Sequence, residues 1–497
     1  MSSIHNPAKE HFRPLFREVS FHSPYEVYTT VRSKNSLLFE SLKGPEHISR
    51  YAFIGIEPYL TFKVKNGLVE IDCMGRKTVS YRKPLQRLRE LLSAYPQTED
   101  TGLPPFQGGA AGMLSYDFVR YLEKLPETAE DDLNVPDAHF FLFDRVIAFD
   151  CTGGRCWVIV CPGVRDTVLG FTEISRPQAE MIADAEEQLD RLTQAVAQCA
   201  PSLLKASDNQ SCPHIEHHTG KEEYMAMVRR AKEYIAAGDI FQANLSLRLS
   251  ADIGETDPLR IYSILREVNP SPFAAYVEFD DYHIISSSPE RLVRVKGRVV
   301  DTRPIAGTRP RGRDRSEDDE MRTELLLNEK ERAEHIMLID LERNDLGKVS
   351  DYGSVLVDEL MTTEQYSHVI HIVSNVRGDL AKGKDCFDVI RAAFPGGTIT
   401  GVPKVRCMEI IEELEKRRRG PYTGSLGYIG FNENMDLNII IRTFLVKEGR
   451  AYVQAGAGIV ADSDPEREYY ESLKKAEALI NTLKRLKTSN AGRGMTR

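Results

Sequence analysis

The chain has 497 residues, of which 41% are hydrophobic and 28% charged, a composition that supports a large core and excludes a disordered protein. Acidic residues outnumber basic ones by 74 to 65, giving a net charge of −9. This balance argues against nucleic acid as the main partner, because phosphate binding requires a concentrated basic surface. No apolar run approaches the roughly 18 residues of a membrane span, and the chain starts without the apolar segment of a secretory signal. We therefore expect a cytoplasmic protein.

The eight cysteines are scattered, and none lies in a Gly-x-Cys-x-Gly sequence. Cys151, Cys156 and Cys161 are five residues apart, which matches no zinc-binding pattern. We expect reduced, buried thiols and no cysteine nucleophile.

The first part of the chain, to about residue 195, is predicted to form short strands and a few helices. Residues rich in β-branched and aromatic side chains indicate strands at 36–40, 51–56, 62–71 and 155–160. Apolar residues at helical spacing indicate helices at 82–94 and 180–198. Residues 201–219 are polar and irregular, and we interpret them as a linker; their clustered histidines fit a solvated segment better than a metal site.

The second part of the chain is predicted to begin with a helix at 221–237, in which Thr219 and Glu222 form a capping box and Gly238 ends the helix. Further helices are predicted at 316–346, from Pro403 to before Gly420, and from Pro465 to about 487. The predicted strands lie at 274–279, 283–286, 371–377, 425–431, 437–446 and 451–454. Neighbouring runs of strands favour an α+β fold with largely antiparallel sheets.

Two glycine-rich segments resemble nucleotide-binding motifs without meeting their requirements. The sequence from Gly456 to Ala461 matches G-x-G-x-x-A, but the following helix is predicted to begin only at Pro465, too late to face a pyrophosphate. Residues 396–404 lack the Gly-Lys-Ser/Thr of a phosphate-binding loop. We expect no nucleotide site.

Two pairs of carboxylates lie one helical turn apart. Glu331 and Glu334 fall on or beside the apolar stripe of one predicted helix, and Glu468, Glu471 and Lys475 share a stripe of the last one. A carboxylate on a core-facing stripe is costly unless it is paired or bound to a cation. The pattern permits a Mg²⁺ site made of oxygen ligands, or two solvated faces with salt bridges.

Several long segments resemble the chorismate-utilising enzymes, most closely their anthranilate synthase component I branch. The segments are LLFES (37–41), RYAFIG (50–55), PIAGTRPRG (304–312), EKERAEHIMLIDLERNDLG (329–347), SHVIH (367–371), FPGGTITGVPK (394–404) and QAGAGIVADSDPEREYYE (454–471). The resemblance implies two largely antiparallel β-sheets packed face to face with helices outside. It also implies a tryptophan-binding regulatory region at 1–200, the linker at 201–219, a catalytic domain at 220–488 and a tail at 489–497.

The resemblance further implies a ligand set. Glu334 and Glu471 are expected to bind Mg²⁺ directly, and Glu331 and Glu468 through water. The residues expected to contact chorismate are Thr308, Thr398, Tyr422, Arg442, Lys475 and the backbone at Gly456 and Gly458.

Two positions bear on the nucleophile. Relatives that add water have a lysine base where this chain has Gln242, and an amide cannot take a proton from water. Relatives that make 4-amino-4-deoxychorismate have a nucleophilic lysine where this chain has Ala306. Both positions therefore favour direct addition of ammonia at ring C2. By resemblance, Glu290 is the general acid at the C4 hydroxyl, and His371 the general base at C2.

A separate glutamine amidotransferase subunit is implied as the source of ammonia, in a heterotetramer of two large and two small subunits. The resemblance places an inhibitory tryptophan beside Glu40, Ser41 and Pro272, although Ala274 replaces the methionine of many relatives. We interpret His368 as structural, and Arg309, Arg311, Arg313 and Arg315 as a solvated loop. The alternatives are aminodeoxychorismate synthase component I, which Ala306 disfavours; an isochorismate or salicylate synthase, which Gln242 disfavours; and a non-catalytic tryptophan-binding regulator.

Overall fold

The computed structural model describes residues 12–46, 48–167, 176–199, 213–365 and 369–486, without the side chains of residues 308, 310, 330, 365 and 369. The elements before residue 200 are β1 (Leu15–Val19), α1 (Pro24–Val31), β2 (Leu37–Glu40), β3 (Tyr51–Gly55), β4 (Leu60–Lys65), β5 (Leu68–Cys73), β6 (Arg76–Ser80), α2 (Pro84–Ser93), β7 (Gly109–Leu114), β8 (Ala138–Phe143), β9 (Arg145–Asp150), β10 (Arg155–Val160) and α3 (Gln178–Ala197).

The elements after residue 212 are β11 (Ile215–His217), α4 (Lys221–Ala236), β12 (Gln242–Asp252), α5 (Pro258–Val268), β13 (Phe273–Glu278), β14 (Tyr282–Ser288), β15 (Arg291–Lys296), β16 (Val299–Thr302), β17 (Ile305–Pro310), α6 (Arg315–Leu327), α7 (Glu329–Gly347), β18 (Leu356–Gln365), β19 (Val369–Asp379), α8 (Cys386–Ala393), β20 (Gly401–Val402), α9 (Lys404–Leu414), β21 (Ser425–Gly430), β22 (Met435–Ile439), β23 (Thr443–Lys447), β24 (Arg450–Ile459) and α10 (Pro465–Arg485). Short 3₁₀ helices lie at Tyr116–Tyr121, Val164–Thr167 and Gly397–Ile399.

The strands form two twelve-stranded sheets. The first has the order β1-β10-β9-β3-β2-β13-β14-β23-β24-β12-β11, with β20 paired to β12. The second has the order β17-β19-β16-β15-β22-β21-β7-β8-β4-β5-β6, with β18 paired to β19. Neighbouring strands are antiparallel in both sheets, as the sequence predicts.

Both sheets contain strands from both parts of the chain. In the first sheet β2 pairs with β13, so that Phe39 lies opposite Ala275. In the second sheet β7 pairs with β21, so that Gly112 lies opposite Gly427. Each sheet is therefore formed jointly by strands from before residue 200 and strands from after residue 212.

Apolar side chains fill the space between the sheets. The ring of Phe53, in the first sheet, lies 5.4 Å from that of Tyr428, in the second, and 5.6 Å from that of Phe106. Helices α4, α5 and α10 pack on the outer side of the first sheet, and α6, α7 and α8 pack on the second. The expected fold, two antiparallel sheets face to face with helices outside, is confirmed. None of the helices in the described ranges is long and apolar enough to cross a membrane.

Two predicted strands are each two strands. The strand predicted at 62–71 is the hairpin β4–β5, because Asn66 and Gly67 both have positive φ and form its two-residue turn. The strand predicted at 437–446 is divided into β22 and β23, which belong to different sheets. The first break does alter the pattern, because the buried positions change from even-numbered in β4 to odd-numbered in β5. Hydrophobic periodicity did not reveal the second break, because β22 and β23 are both almost entirely buried.

The helix predicted at 316–346 is also divided. Asn328 ends α6, and its side chain accepts a hydrogen bond from the backbone N–H of Glu331 at 3.0 Å, so that it starts α7 as an N-cap. The capping box predicted at Thr219 and Glu222 is wrong, because the N-cap of α4 is Gly220, which has no side chain to accept a bond. Residues 215–217 of the predicted linker form β11 and pair with β12, whereas residues 201–212 and the predicted tail lie outside the described residues.

Candidate active site

Two of the connections that carry the chain from one sheet to the other each hold a predicted site residue. Glu290 lies in the connection from β14, in the first sheet, to β15, in the second. Arg442 lies in the connection from β22, in the second sheet, to β23, in the first. The connections are close together, because the backbone N–H of Ile439 donates to the carbonyl of Glu290 at 3.0 Å and that of Ser287 donates to the carbonyl of Arg442 at 3.1 Å. Arg442 has φ of 51°, which the sharp turn between sheets requires.

Glu290 is a buried acid whose pKa lies near neutral pH. The residue is 7% exposed. Burial raises the pKa of its carboxyl from 4.5 to about 7, although Thr398, Arg442 and Lys475 act in the opposite direction. A carboxyl with this pKa holds a proton for part of the time at pH 7 and can deliver it to a leaving group.

His371 lies on β19 and is 4% exposed. Its Nδ1 lies 3.1 Å from the carbonyl oxygen of Gly307, and because a carbonyl only accepts, Nδ1 carries the ring proton. Nε2 therefore bears the lone pair. Burial, reinforced by the positive charge of Arg442, lowers the pKa of His371 to about 4, so the ring is neutral at pH 7 and able to act as a base.

Of three more predicted contacts, Thr398 and Lys475 lie close enough to Glu290 to lower its pKa, and Tyr422 lies beside Arg419. Thr398 lies on the 3₁₀ helix that precedes β20, and its hydroxyl lowers the pKa of Glu290 by hydrogen bonding to the carboxyl. Tyr422 lies before β21, with the guanidinium of Arg419 5.6 Å from the centre of its ring. Lys475 reaches from α10, and its Nζ donates to the carbonyl of Gly456 at 3.1 Å.

Gly456 and Gly458 lie on β24 opposite β12, which begins at Gln242. A Cβ atom at Gly458 would lie 2.2 Å from Nε2 of Gln242, and one at Gly456 would lie 2.9 Å from Oδ1 of Asn244. The missing side chains thus make room for two amides of β12. Neither this use of the glycines nor the position of Asn244 was predicted from the sequence.

The remaining positions near the predicted base lie on β17. Ala306 is opposite Ile372, and the strand bulges between Ala306 and Thr308, which pairs with His371. The bulge turns the carbonyl of Gly307 toward the imidazole. The side chain of Thr308 and all of His368 lie outside the described residues.

The four predicted metal ligands lie on the two expected helices. Glu331 and Glu334 are on α7, and Glu468 and Glu471 are on α10. Nη1 of Arg309 lies 2.7 Å from Oε1 of Glu331, whose other oxygen is buried without a hydrogen-bond partner in the described ranges. The prediction that Arg309 belongs to a solvated loop is therefore wrong, because it is an ion-pair partner of this carboxylate.

The α10 carboxylates also have neighbours. Ser463 donates to Glu468 at 2.7 Å, and Lys475 lies 2.9 Å from Glu471. Among the described residues, no group of three or more His, Cys, Asp or Glu side chains lies close enough together to hold a metal ion. The all-oxygen donors and the unbonded oxygen of Glu331 suit Mg²⁺, but oxygens from substrate or water would have to complete its shell.

Glu342, on α7, is a buried acid that sequence patterns did not single out. It is 5% exposed, and burial, with the negative charge of Asp345, raises the pKa of its carboxyl to about 8; the charge of Glu290 acts in the same direction. The negative charge of Glu290 therefore contributes to the raised pKa of Glu342. Helical periodicity could not separate Glu342 from ordinary surface acids, since α7 has acidic residues on every side.

The cysteines provide no reactive thiolate near this site. Cys73, Cys156, Cys161, Cys386 and Cys407 are buried, and all seven described cysteines are free of disulfides. Burial raises the pKa of Cys73 to about 11 and that of Cys407 to about 12. Such thiols stay protonated at neutral pH and are poor nucleophiles.

A pocket of about 550 Å³ lies between the sheets, where the resemblance predicts the inhibitor; Glu290 and His371 are not among its lining residues, although Arg291 is. Ser41 and Pro272 line it, and Oγ of Ser41 donates to the carbonyl of Pro272 at 3.0 Å. Ala274 also lines the pocket. Its aromatic walls are Phe39, Tyr51, Phe53, Phe273 and Tyr428.

Glu40 lies at the edge of this pocket, but its carboxylate is engaged elsewhere. It accepts hydrogen bonds from Nε and Nη2 of Arg266, each at 2.8 Å, and from the hydroxyl of Tyr262 at 2.6 Å. Both partners are on α5. A ligand in the pocket would therefore meet a carboxylate whose charge is already balanced.

Comparisons with known proteins agree with the fold and with the sequence motifs. A sequence model of the chorismate binding enzyme family matches residues 33–481. Aminodeoxychorismate synthase component 1 of Bacillus subtilis is 43% identical over 468 residues, which are 94% of this chain and 95% of that protein. Anthranilate synthase component 1 of Acetivibrio thermocellus is 42% identical over 455 residues, 90% of this chain and 89% of that protein. The crystal structure of anthranilate synthase component I from Streptococcus pneumoniae has a TM-score of 0.76 and 36% identity, covering 87% of this chain and 92% of that one.

Proposed function

Because the chain belongs to the chorismate binding enzyme family, we propose that it converts chorismate and ammonia into anthranilate, pyruvate and water. The observation that carries the proposal is the pairing of a buried acid, Glu290, with a neutral buried imidazole, His371, both within the electrostatic reach of Arg442. One group can donate a proton and the other can accept one at the same pH. The anthranilate-forming reaction requires both steps.

In the first step, ammonia forms a bond to ring C2 while the C4–O bond breaks. Glu290 protonates the departing hydroxyl, which leaves as water, and Arg442 and Lys475 balance the carboxylates of the substrate. In the second step, Nε2 of His371 takes the proton from C2, a double bond forms between C2 and C3, and the bond from C3 to the enolpyruvyl oxygen breaks. The enolpyruvate that leaves gains a proton to become pyruvate, and the ring becomes aromatic. Glu334 and Glu471, with Glu331 and Glu468 through water, would hold a Mg²⁺ ion, which when bound supplies positive charge to the ring carboxylate.

Gln242 and Ala306 support ammonia as the nucleophile. At Gln242 an amide, rather than a lysine base, faces the glycines of β24, so the site lacks a group there that could deprotonate water. Ala306 has no nucleophilic atom. Two relatives carry "component 1" in their names, which supports a second component, and we propose that a glutamine amidotransferase subunit supplies the ammonia, in an assembly of two large and two small subunits.

The test is to incubate the purified chain with chorismate, Mg²⁺ and an ammonium salt at alkaline pH. We expect anthranilate, identified by mass and fluorescence, and an equal amount of pyruvate. Glutamine should not replace the ammonium salt. Chorismate that is consumed to give isochorismate, or is not consumed, would contradict the proposal.

The second candidate is an aminodeoxychorismate synthase component, favoured by the identity to the Bacillus subtilis relative. In that case the product would carry the amino group on C4 in place of the hydroxyl, and the enolpyruvyl group would stay attached to the ring. Amination without release of pyruvate would therefore support the second candidate. Ala306 argues against it, because the covalent route requires a nucleophilic side chain at that position.

A further inference from the structure

Two side-chain carbonyls on the inner side of β12 lack hydrogen-bond partners in the described ranges. They are Oε1 of Gln242 and Oδ1 of Asn244. Asn244 is 9% exposed, so its acceptor is largely removed from water. A buried acceptor without a donor costs about 1–3 kcal/mol, and such an atom at a functional site indicates a missing ligand.

Alternation along β12 puts both amides on the same side. Leu245, Leu247 and Leu249 pack in the core with α4, whereas the even-numbered Ser246 and Arg248 point the other way, toward Glu415 and Asp132. Gln242 and Asn244 are therefore about 6–7 Å apart along the strand. Gly458 and Gly456 lie beside them, and the space left by their missing Cβ atoms is taken by the amides of Gln242 and Asn244.

The backbone of Asn244 is firmly held. Its N–H donates to the carbonyl of Thr400 at 2.9 Å, and its carbonyl accepts from Nη2 of Arg419 at 2.7 Å. Thr400 belongs to the same short loop as Thr398, whose hydroxyl lies beside the carboxyl of Glu290 and lowers its pKa by hydrogen bonding. The loop thus joins the backbone of Asn244 to the residue that contacts the proposed acid.

From this arrangement we infer that the side-chain carbonyls of Gln242 and Asn244 bind the incoming ammonia and direct its lone pair toward the ring of chorismate. Ammonia has three N–H donors and one lone pair, so acceptors that hold its hydrogens leave the lone pair for attack. Neutral carbonyls suit this task, because a carboxylate would favour ammonium, which has no lone pair. Asn244 is a positioning residue in this scheme. The inference rests on the proposed amination, whichever of the two aminated products is formed.

The test measures steady-state kinetics with ammonium chloride as the varied substrate at fixed pH, with chorismate and Mg²⁺ saturating, and then the reverse. Asn244→Ala and Gln242→Ala are each expected to raise the KM for ammonia about tenfold, the effect of one lost hydrogen bond, with the KM for chorismate little changed. Asn244→Asp should lower kcat, because the carboxylate would retain ammonium. Ser250→Ala is the matched control, since Ser250 lies on the same side of β12 with its hydroxyl already 2.8 Å from His218.

The outcomes are distinguishable. If the wild-type protein does not consume chorismate with ammonium, the proposed function is wrong. If it does, but both alanine variants keep the wild-type KM for ammonia, or raise the KM for chorismate instead, the inference is overturned. Melting temperatures identify a variant that fails to fold, and because each amide is replaced separately, the second variant then decides.

Discussion

Replacing Glu290 by Gln should remove activity and stabilise the protein at alkaline pH. In the folded state burial raises the pKa of this carboxyl from 4.5 to about 7, so the folded protein binds the proton more tightly than the unfolded chain. Stability from this group is therefore complete below about pH 4.5 and is lost as the pH rises through 7. One pH unit corresponds to about 1.4 kcal/mol, so ionisation of the buried group costs on the order of 3 kcal/mol. Glutamine cannot ionise and avoids this cost.

Thermal melting of the wild type and of Glu290→Gln, followed between pH 5 and 9 in one buffer system, measures the difference. The two proteins should melt at similar temperatures near pH 5, and the variant should melt higher at pH 8. Chorismate consumption should fall by about 10²–10⁴-fold, the typical contribution of a general acid. Glu342→Gln is the matched control for stability, because Glu342 is a second buried acid whose pKa is raised, to about 8. Equal slopes of melting temperature against pH for the wild type and Glu290→Gln would refute the reasoning.

Three further predictions concern the base, the metal and the inhibitor pocket. His371→Met should fold, consume chorismate with ammonia and accumulate 2-amino-2-deoxyisochorismate, which chromatography separates from anthranilate; anthranilate formed at the wild-type rate would exclude His371 as the base. Excess EDTA should abolish turnover, and Glu334→Gln or Glu471→Gln should do the same without lowering the melting temperature, whereas full activity in EDTA would contradict a Mg²⁺ requirement. Tryptophan should bind the pocket beside Ser41 and inhibit turnover, and Ser41→Ala should weaken tryptophan binding. Calorimetry that detects no binding at about 1 mM tryptophan would argue against the site.

The elements of the fold were largely predictable, because most helices and strands have regular apolar spacing and recognisable ends. The errors occurred where a single polar residue redirects the chain. Asn328 caps one helix as it ends another, and Asn66 with Gly67 turns one predicted strand into a hairpin. The second change has a sequence signal, because the buried positions shift from even-numbered in β4 to odd-numbered in β5 and Asn-Gly is a common hairpin turn. The pairing of β2 with β13 and of β7 with β21 depends on contacts between distant segments, which local periodicity does not contain.

The residues of the candidate site were largely predictable from the sequence. Their pKa changes and their contacts with one another were less so. Glu290 and His371 were identified from motifs, but their opposite pKa changes arise from burial, which a motif does not record. The prediction that Arg309 lies in a solvated loop was wrong. Its pairing with Glu331 joins β17 to α7, and local sequence patterns do not contain contacts between separate elements. Asn244 was missed because an asparagine on a strand carries no signature of function until the neighbouring side chains show that its carbonyl has no donor.

The shared sheets have a consequence for how this chain can be divided. If the chain were cut between residues 199 and 213, each fragment would expose one long strand edge in each sheet: β2 and β7 on the first fragment, β13 and β21 on the second. Such edges present rows of unpaired N–H and C=O groups and favour aggregation. The pieces would gain stability only by reassembling with each other, so mutational damage in either part would be felt throughout one cooperative unit. Exchange of the N-terminal part between relatives would accordingly need matched strand edges as well as a matched ligand pocket.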